Sequence, residues 1–588
     1  MDRTGIDGAG MRGAVGPGDP ASATGLAEAV EHWLAQDPDP VTRGELEALR
    51  DDPASAAELA ARFAGRLEFG TAGLRAELGA GPMRMNRVVV AQAAAGLARY
   101  LLAREGAPSV VIGYDGRENS EVFARDTAEL MAGAGVRALL LPRMLPTPVL
   151  AFAVRHFGTS AGVMVTASHN PPRDNGYKVY LGGEDAGAQI VAPADAEIAA
   201  EIAAVAAGRV DELPRSGDYL VLDDEVVRAY VLATAAAAGA PVPSEARGTN
   251  ARTPLRLVYT AMHGVGTRVL LDVFEAAGLA APALVREQTE PDPAFPTVAF
   301  PNPEEPGALD LAIATARSAG ADLILANDPD ADRLAVAVPD ADAEGGWRRL
   351  SGNELGILLG WAAAEECAGA RPGGGLAPGA VLACSLVSSP ALGWIAEHFG
   401  LGHVETLTGF KWISRTPGLR FGYEEALGYL VDPAKVHDKD GISAAVRVVA
   451  LAERWRASGR GIDDVLDEIA AAVGGSASGQ VSIRVTDLAE IGRLTAGLRS
   501  APPTEIAGRR VVAADDFLEG VAGFGTADIL RYRLEDGSRV IVRPSGTEPK
   551  LKVYLDAASH EGTGRERRER AAAAVGELEA GMRTILGL

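Results

Sequence analysis

The sequence predicts an α/β fold: three tandem α/β/α sandwich domains with mixed, largely parallel sheets, then a smaller C-terminal α+β domain. Three observations carry this expectation. At 588 residues the chain is too long for one hydrophobic core, and the usual domain size implies roughly three to five units. A short apolar strand, a polar or glycine-containing loop, an amphipathic helix and a closing glycine recur three times, and a repeated unit of this kind sets the architecture. The last stretch alternates apolar and polar residues, as half-buried strands do.

Along the chain, residues 1–25 are rich in Gly, Ala, Pro, Ser and Thr with no apolar run of signal-peptide type, and read as a disordered lead-in. The first repeat runs from Val110 through the loop GYDGREN and a helix to Gly135, then into VRALLLP. The second starts at Leu255 with LRLVYTAMHG and runs along VLLDVFEAAG to Gly278. The third starts at Ala380 with AVLACSLVSS and continues through ALGWIAEHFG to Gly400. Strands alternating with helices over short loops indicate βα units with helices on both faces of each sheet. QVSIRVTDL and SRVIVRPSG then read as strands of the last domain, with a long helix from about Arg565. Pro/Gly-rich passages mark the junctions: PVPSEARGTNARTP before the second unit, ARPGGGLAPG inside the third and AAVGGSASG before the last. The expected divisions are therefore 1–25, 26–225, 226–345, 346–472 and 473–588.

Composition narrows the function classes. Hydrophobic residues make up 47% and charged residues 23% of the chain, as in a globular protein able to bury a large core. A net charge of −23 argues against nucleic acid and anionic membranes as partners. No uninterrupted apolar stretch reaches membrane length. Cys367 and Cys384 are the only cysteines, too few for a disulfide framework and suited to a reducing compartment, so the expected location is the cytoplasm.

Four motifs carry chemistry. TASHNPP places Ser168 at the C-terminal end of the buried-strand pattern AGVMV, where sites form in open α/β sheets. Its hydroxyl needs a neighbouring base or metal, and His169 is one candidate; the same residues also suit a plain strand-to-turn junction. DPDADR follows ADLILA, and because alternate residues of an extended segment project to the same side, Asp328, Asp330 and Asp332 are expected to converge. At an effective dielectric of about 20, each carboxylate pair 4 Å apart would cost roughly 4 kcal/mol, so a cation is needed. Hard oxygen donors favour magnesium over zinc. A calcium loop would need Gly and Glu where Arg333 and Pro339 stand. Arg333 itself is a fixed cation suited to phosphate. GYEEALGY offers Glu424 and Glu425 as acceptors for paired sugar hydroxyls, although an acidic helix start fits it as well. RPSGTEPK carries Arg543, Ser545, Gly546, Thr547 and Lys550, a credible phosphate cradle without Walker A spacing; an exposed basic turn is the alternative.

With these four motifs in this order, the chain from about residue 60 onward resembles the α-D-phosphohexomutase family of phosphoglucomutases, phosphomannomutases and some phosphopentomutases. The resemblance implies a heart-shaped enzyme whose four domains each give one loop to a central cleft. It implies that Ser168 is phosphorylated and shares Mg2+ with Asp328, Asp330 and Asp332, and that GYEEALGY recognises sugar while RPSGTEPK clamps the non-reacting phosphate. Matches in FGTAGLR (Arg75), NGYKVY (Lys178), TGFKW (Thr408, Gly409, Lys411) and DKDG (Lys439, Asp440) imply basic groups that neutralise the transferring phosphate or handle protons. His169, Lys178 and Lys439 are the candidates for acid and base.

One departure concerns the sugar. GYEEALGY is not the GEMSGH type of bacterial phosphomannomutase/phosphoglucomutases, and with TGFKW and DKDG it looks like the branch containing phosphoglucomutase and phosphopentomutase. The implied reaction interconverts sugar 1-phosphate and 6-phosphate, glucose and/or mannose, with a sugar bisphosphate as activator and intermediate. A pentose 1-/5-phosphate substrate, a noncatalytic sugar-phosphate sensor and a phosphatase are the rivals. The expected partner is a small sugar phosphate, acting on a monomer or dimer.

Overall fold

Runs of apolar and β-branched residues become the central strands because they can be covered on both faces. In the computed structural model, which describes residues 23–71, 73–239, 254–369, 379–485, 488–544 and 550–587, the strands Ser109–Tyr114, Ala161–Val165, Leu323–Asn327 and Val381–Ser385 are almost wholly buried. The first sheet is ordered Leu74–Glu77, Asp174–Leu181, Ala161–Val165, Ser109–Tyr114, Arg137–Leu140, Leu220–Val221, with Ala188–Gln189 attached to the second of these. Its last four strands run parallel, and the first two are antiparallel additions. The second sheet is ordered Trp347–Arg349, Leu334–Pro339, Leu323–Asn327, Leu257–Thr260, Ala283–Leu284, again half parallel and half antiparallel. Gly402–Thr406, Val381–Ser385 and Leu419–Glu424 form a parallel third sheet closed by the hairpin strand Gly428–Leu430.

The fourth sheet is antiparallel throughout: Gly475–Arg484, Lys550–Ser559, Arg539–Pro544, Leu530–Leu534, Arg509–Asp516, Glu505–Ile506. The helices Leu488–Ser500 and Gly564–Leu586 accompany it. Three mixed-sheet α/β units and one α+β unit are thus the fold class the sequence predicts. The three repeats end in helices Ser120–Gly133, Gly266–Ala276 and Ala391–His398.

Several local expectations change. Most of the lead-in lies outside the described residues, but the helix Ala23–Leu34 already starts inside the 1–25 stretch. Residues 241–253 and 370–378 of two Pro/Gly-rich passages also lie outside the described residues. AAVGGSASG is not a linker. The helix Ile462–Val473 ends inside it and the strand Gly475–Arg484 starts two residues later. Its small residues have a packing role, since a Cβ on Gly475 would sit 2.4 Å from Arg567 and one on Gly479 would sit 2.6 Å from Val575, both on the terminal helix.

One apolar core joins the first three units. It contains Leu150 and Tyr230, Leu270 and Leu325, and Leu358, Tyr423 and Val446. The fourth unit meets the third where its terminal helix lies on Ile462–Val473, with Arg568 donating to Asp467 at 2.7 Å, and through a small separate cluster of Leu386, Val387, Phe517, Ile529, Ile541 and Tyr554. Arg539 braces that contact, bonding Asp556 at 2.7 Å in its own sheet, Glu405 at 2.8 Å in the third unit, and the Ser388 carbonyl.

Candidate active site

The strand Ala161–Val165 ends three residues before Ser168, whose backbone turns through a left-handed φ of 53°. That turn is held from both sides. The Ser168 amide donates to Thr166 Oγ1 at 2.8 Å. From below, the buried Arg117 guanidinium donates to four carbonyls of the loop: Ser168 and Asn170 at 2.6 Å, Pro171 at 2.8 Å and Asp174 at 3.0 Å. A planar fork with fixed donors suits this task where a point-charge ammonium would not. Ser168 Oγ then lies 2.9 Å from Asp328 Oδ2 and 3.1 Å from His169 Nδ1, although the serine and aspartate are 160 positions apart.

Asp328, Asp330 and Asp332 lie in the loop between the antiparallel strands Leu323–Asn327 and Leu334–Pro339. They do not converge as alternate residues of an extended segment. The loop doubles back, with Ala331 at φ 54°, and this turn directs all three carboxylates inward. Each is essentially inaccessible, and one oxygen from each lies within 4.8 Å of the others.

Three cations face them. Lys178, on the strand Asp174–Leu181, reaches Asp330 Oδ2 at 2.8 Å and Asp332 Oδ2 at 3.0 Å. Lys439 reaches Asp332 Oδ2 at 3.3 Å. Arg333 lies 3.8 Å from Asp332 and 4.0 Å from Asp328, while its guanidinium donates to the Ala426 carbonyl of the GYEEALGY turn at 3.0 Å. Burial and the neighbouring Asp330 and Asp332 push the Asp328 carboxyl well up. Burial is the largest influence on Asp330 and Asp332 and works against their ionisation, but Lys178 together with the Thr147 hydroxyl at Asp330, and Lys178 together with Lys439 and Arg333 at Asp332, bring both down. Burial opposes the charged forms of Lys178 and Lys439 too; Asp330 and Asp332 at the first, and Asp332 and Asp438 at the second, raise them on balance. Burial, then Arg333 and Arg75, hold the His169 imidazole well below its usual range.

The trio fits a divalent metal ion. Asp330 Oδ1 and Asp332 Oδ1 are buried without a hydrogen-bond partner, which is costly unless something with positive charge meets them. An all-oxygen donor set suits a hard cation such as magnesium.

The other residues singled out from sequence are distributed around this centre. Arg75 is partly buried near Asp330 and donates to Asn170 Oδ1 at 3.2 Å. Glu424 ends its strand and accepts from the Gly409 amide at 2.6 Å, tying GYEEALGY to TGFKW; burial raises its pKa. Thr408 is partly exposed beside it. Lys411 reaches across to Thr71 Oγ1 in the first unit. Glu425 turns into its own domain, accepting from Ser385 and Ser388 hydroxyls at 3.1 and 3.2 Å. Asp440 caps the helix Gly441–Ala457 and pairs with Lys435 at 2.6 Å, so of DKDG it is Lys439 that faces the aspartates. Arg543 and Lys550 lie on adjacent strands of the fourth sheet; Ser545, Gly546 and Thr547 lie outside the described residues.

Two residues were missed by motif reading. Arg117 leaves only a basic residue beside Asp115 in GYDGREN as a trace. Thr147, whose hydroxyl donates to Asp330 Oδ2 at 2.7 Å, leaves none, because Pro-Thr-Pro signals only a helix start.

Models of one family match nearly end to end: phosphoglucomutase/phosphomannomutase alpha/beta/alpha domain I over residues 66–209, domain II over 240–344, domain III over 351–472, and the C-terminal domain over 483–573. The chain belongs to the phosphoglucomutase/phosphomannomutase family. Within it, the chain is 54% identical over 504 residues to a probable phosphomannomutase of Haemophilus influenzae, covering 86% of this chain and 98% of that protein. It is 35% identical over 578 residues to a probable phosphoribomutase of Schizosaccharomyces pombe, covering 91% and 94%. The same fold is found in a putative phosphomannomutase from Thermus thermophilus, at a TM-score of 0.65 and 24% identity over 89% of this chain and all of that one. Among the described residues of this family member, no helix is long and apolar enough to cross a membrane.

Proposed function

We propose that this protein is a cytoplasmic phosphosugar mutase that interconverts the 1- and 6-phosphates of mannose and/or glucose through a phosphoserine at Ser168 and a bisphosphorylated sugar. The observation that supports this most strongly is the 2.9 Å approach of Ser168 Oγ to the buried Asp328 carboxylate, inside a cluster of three carboxylates and three cations drawn from three units. A divalent cation held by Asp328, Asp330, Asp332 and an oxygen of the Ser168 phosphate would supply positive charge against the transferring phosphoryl group.

The residues of this chain do the rest. A sugar hydroxyl oxygen forms a bond to phosphorus as the Ser168 Oγ–phosphorus bond breaks; its proton passes to the neutral His169 imidazole, and the departing Oγ takes a proton from the Lys178 or Lys439 ammonium. The bisphosphate turns over in the cleft and its other phosphate returns to Ser168 Oγ, so the net change is isomerisation. Lys178, Lys439, Arg333 and Arg75 neutralise charge at the reacting end, which is most of what phosphoryl transfer requires. Thr408, Gly409, Lys411, Glu424 and Glu425 bind the sugar. Arg543, Ser545, Gly546, Thr547 and Lys550 hold the non-reacting phosphate, and closure of the fourth unit over the substrate excludes water. All of these groups belong to one chain, so the site is complete in a monomer or in each half of a dimer.

A pentose substrate is the second reading, favoured by the 35% identical relative named as a phosphoribomutase. The test is isomerisation of mannose, glucose, ribose and deoxyribose 1-phosphates with Mg2+ and a bisphosphate primer, comparing kcat/KM. Ser168→Ala is expected to reduce turnover below detection and to prevent phosphorylation of the protein. Native turnover in that variant overturns the mechanism. Phosphate release without isomer would indicate a phosphatase, and metal-independent binding without turnover a sensor.

A further inference from the structure

Thr147 opens the helix Thr147–Phe157 in the first unit and is completely buried. It meets the metal loop of the second unit twice: its amide donates to the Asp330 carbonyl at 2.9 Å and its hydroxyl donates to Asp330 Oδ2 at 2.7 Å. The same oxygen receives Lys178 Nζ at 2.8 Å. A carboxylate oxygen has two lone-pair directions in its plane, and on Oδ2 both are taken. Asp330 Oδ1 has no partner although it is buried. The two oxygens of one carboxylate are therefore made unequal by donors from another domain.

We propose that Thr147 is a positioning residue that fixes the rotation of the Asp330 carboxylate, committing Oδ2 to the protein and presenting Oδ1 to the divalent cation. The inference rests on the reading of the aspartate trio as a cation site. Lys178 alone does not define this rotation, because its ammonium is shared with Asp332 Oδ2 at 3.0 Å and can follow either oxygen. The threonine hydroxyl is anchored at the first turn of a helix packed into the core shared by three units, with Val149, Leu150 and Val154 at the buried face. It supplies a fixed donor. Partners that orient metal-binding carboxylates in this way are typically worth about 10–100-fold in metal affinity. Because this donor and the ligand it orients sit in different domains, cation affinity reports the alignment of the phosphoserine unit with the metal loop.

The test uses the full-length protein, stripped with EDTA and titrated with Mn2+ by calorimetry and by the loss of the free-ion electron paramagnetic resonance signal. Thr147→Val keeps the shape and removes the donor; Thr147→Ser keeps the donor and removes a methyl group. The expected result is a Kd raised about tenfold or more by the valine, and a serine variant within about threefold of the native protein. Thr147→Ala carries the same expectation as the valine and replaces it if the valine variant does not fold. A valine variant with native Kd overturns the proposal, as does an equal loss in valine and serine, which would assign the effect to the methyl group. A native protein that binds no Mn2+, or binds it equally after Asp330→Ala, would instead remove the cation-site reading on which the proposal stands. A purely structural role would lower the melting temperature of the stripped variants without changing their Kd.

Discussion

Replacing Lys178 with methionine removes one cation from a buried cluster while keeping most of the side-chain stem. Its ammonium lies 2.8 Å from Asp330 Oδ2 and 3.0 Å from Asp332 Oδ2, with 6% of the side chain exposed. At an effective dielectric of about 20, Coulomb's law gives each contact on the order of 6 kcal/mol before the cost of desolvating the ammonium is subtracted. Losing one partner of a buried pair costs about 3–5 kcal/mol, because the charge left behind is uncompensated. Lys178→Met in EDTA is therefore expected to lose about 3–5 kcal/mol, read as a lower urea midpoint and faster hydrogen exchange across the loop holding residues 328–333. Saturating Mg2+ should restore part of the loss, because added positive charge replaces the missing ammonium. Activity with Mg2+ should still fall on the order of 10²- to 10³-fold, the usual effect of removing one group aimed at developing charge. A variant within about 0.5 kcal/mol of native in EDTA, or one that Mg2+ stabilises less than the native protein, would refute the balanced-cluster reasoning.

Two further outcomes follow from the same geometry. Arg117→Lys cannot span the four carbonyls of the Ser168 loop; kcat should fall on the order of 10²-fold from misplacement of the nucleophile, with Mn2+ affinity little changed, and a kcat within threefold of native would count against the clamp. The His437 imidazole is pushed down to about 4, first by burial and then by Arg155 and Arg415, so below its usual 6.5 the unfolded chain takes up a proton that the folded chain refuses. Stability should fall as pH drops from about 6.5 towards 4, and His437→Gln should flatten that decline in urea midpoint; parallel declines in both proteins would argue against it.

How much of this was legible in the sequence depends on the range of the interaction involved. Val110, Leu257 and Val381 announce their strands because burial on two faces demands apolar runs, and the glycines at 135, 278 and 400 mark helix ends. Asp328, Asp330 and Asp332 announce a cation because three carboxylates within five residues must be neutralised. The passage from Ala471 to Gly479 misled, since small residues read as a linker until a helix from the end of the chain is seen lying against them.

The sequence by itself determined the repeat, the fold class, the family and the chemical identity of the groups at the centre, because each is written in local periodicity or in motifs a few residues long. Tertiary structure alone decided that Ser168 meets Asp328, that Lys439 faces the aspartates, and that Arg117 and Thr147 hold the loops in place. The physical reason is that hydrogen bonds and ion pairs act over about 3 Å in space and are indifferent to separation along the chain. A side chain that works through a partner more than 50 positions away leaves no pattern in its own neighbourhood.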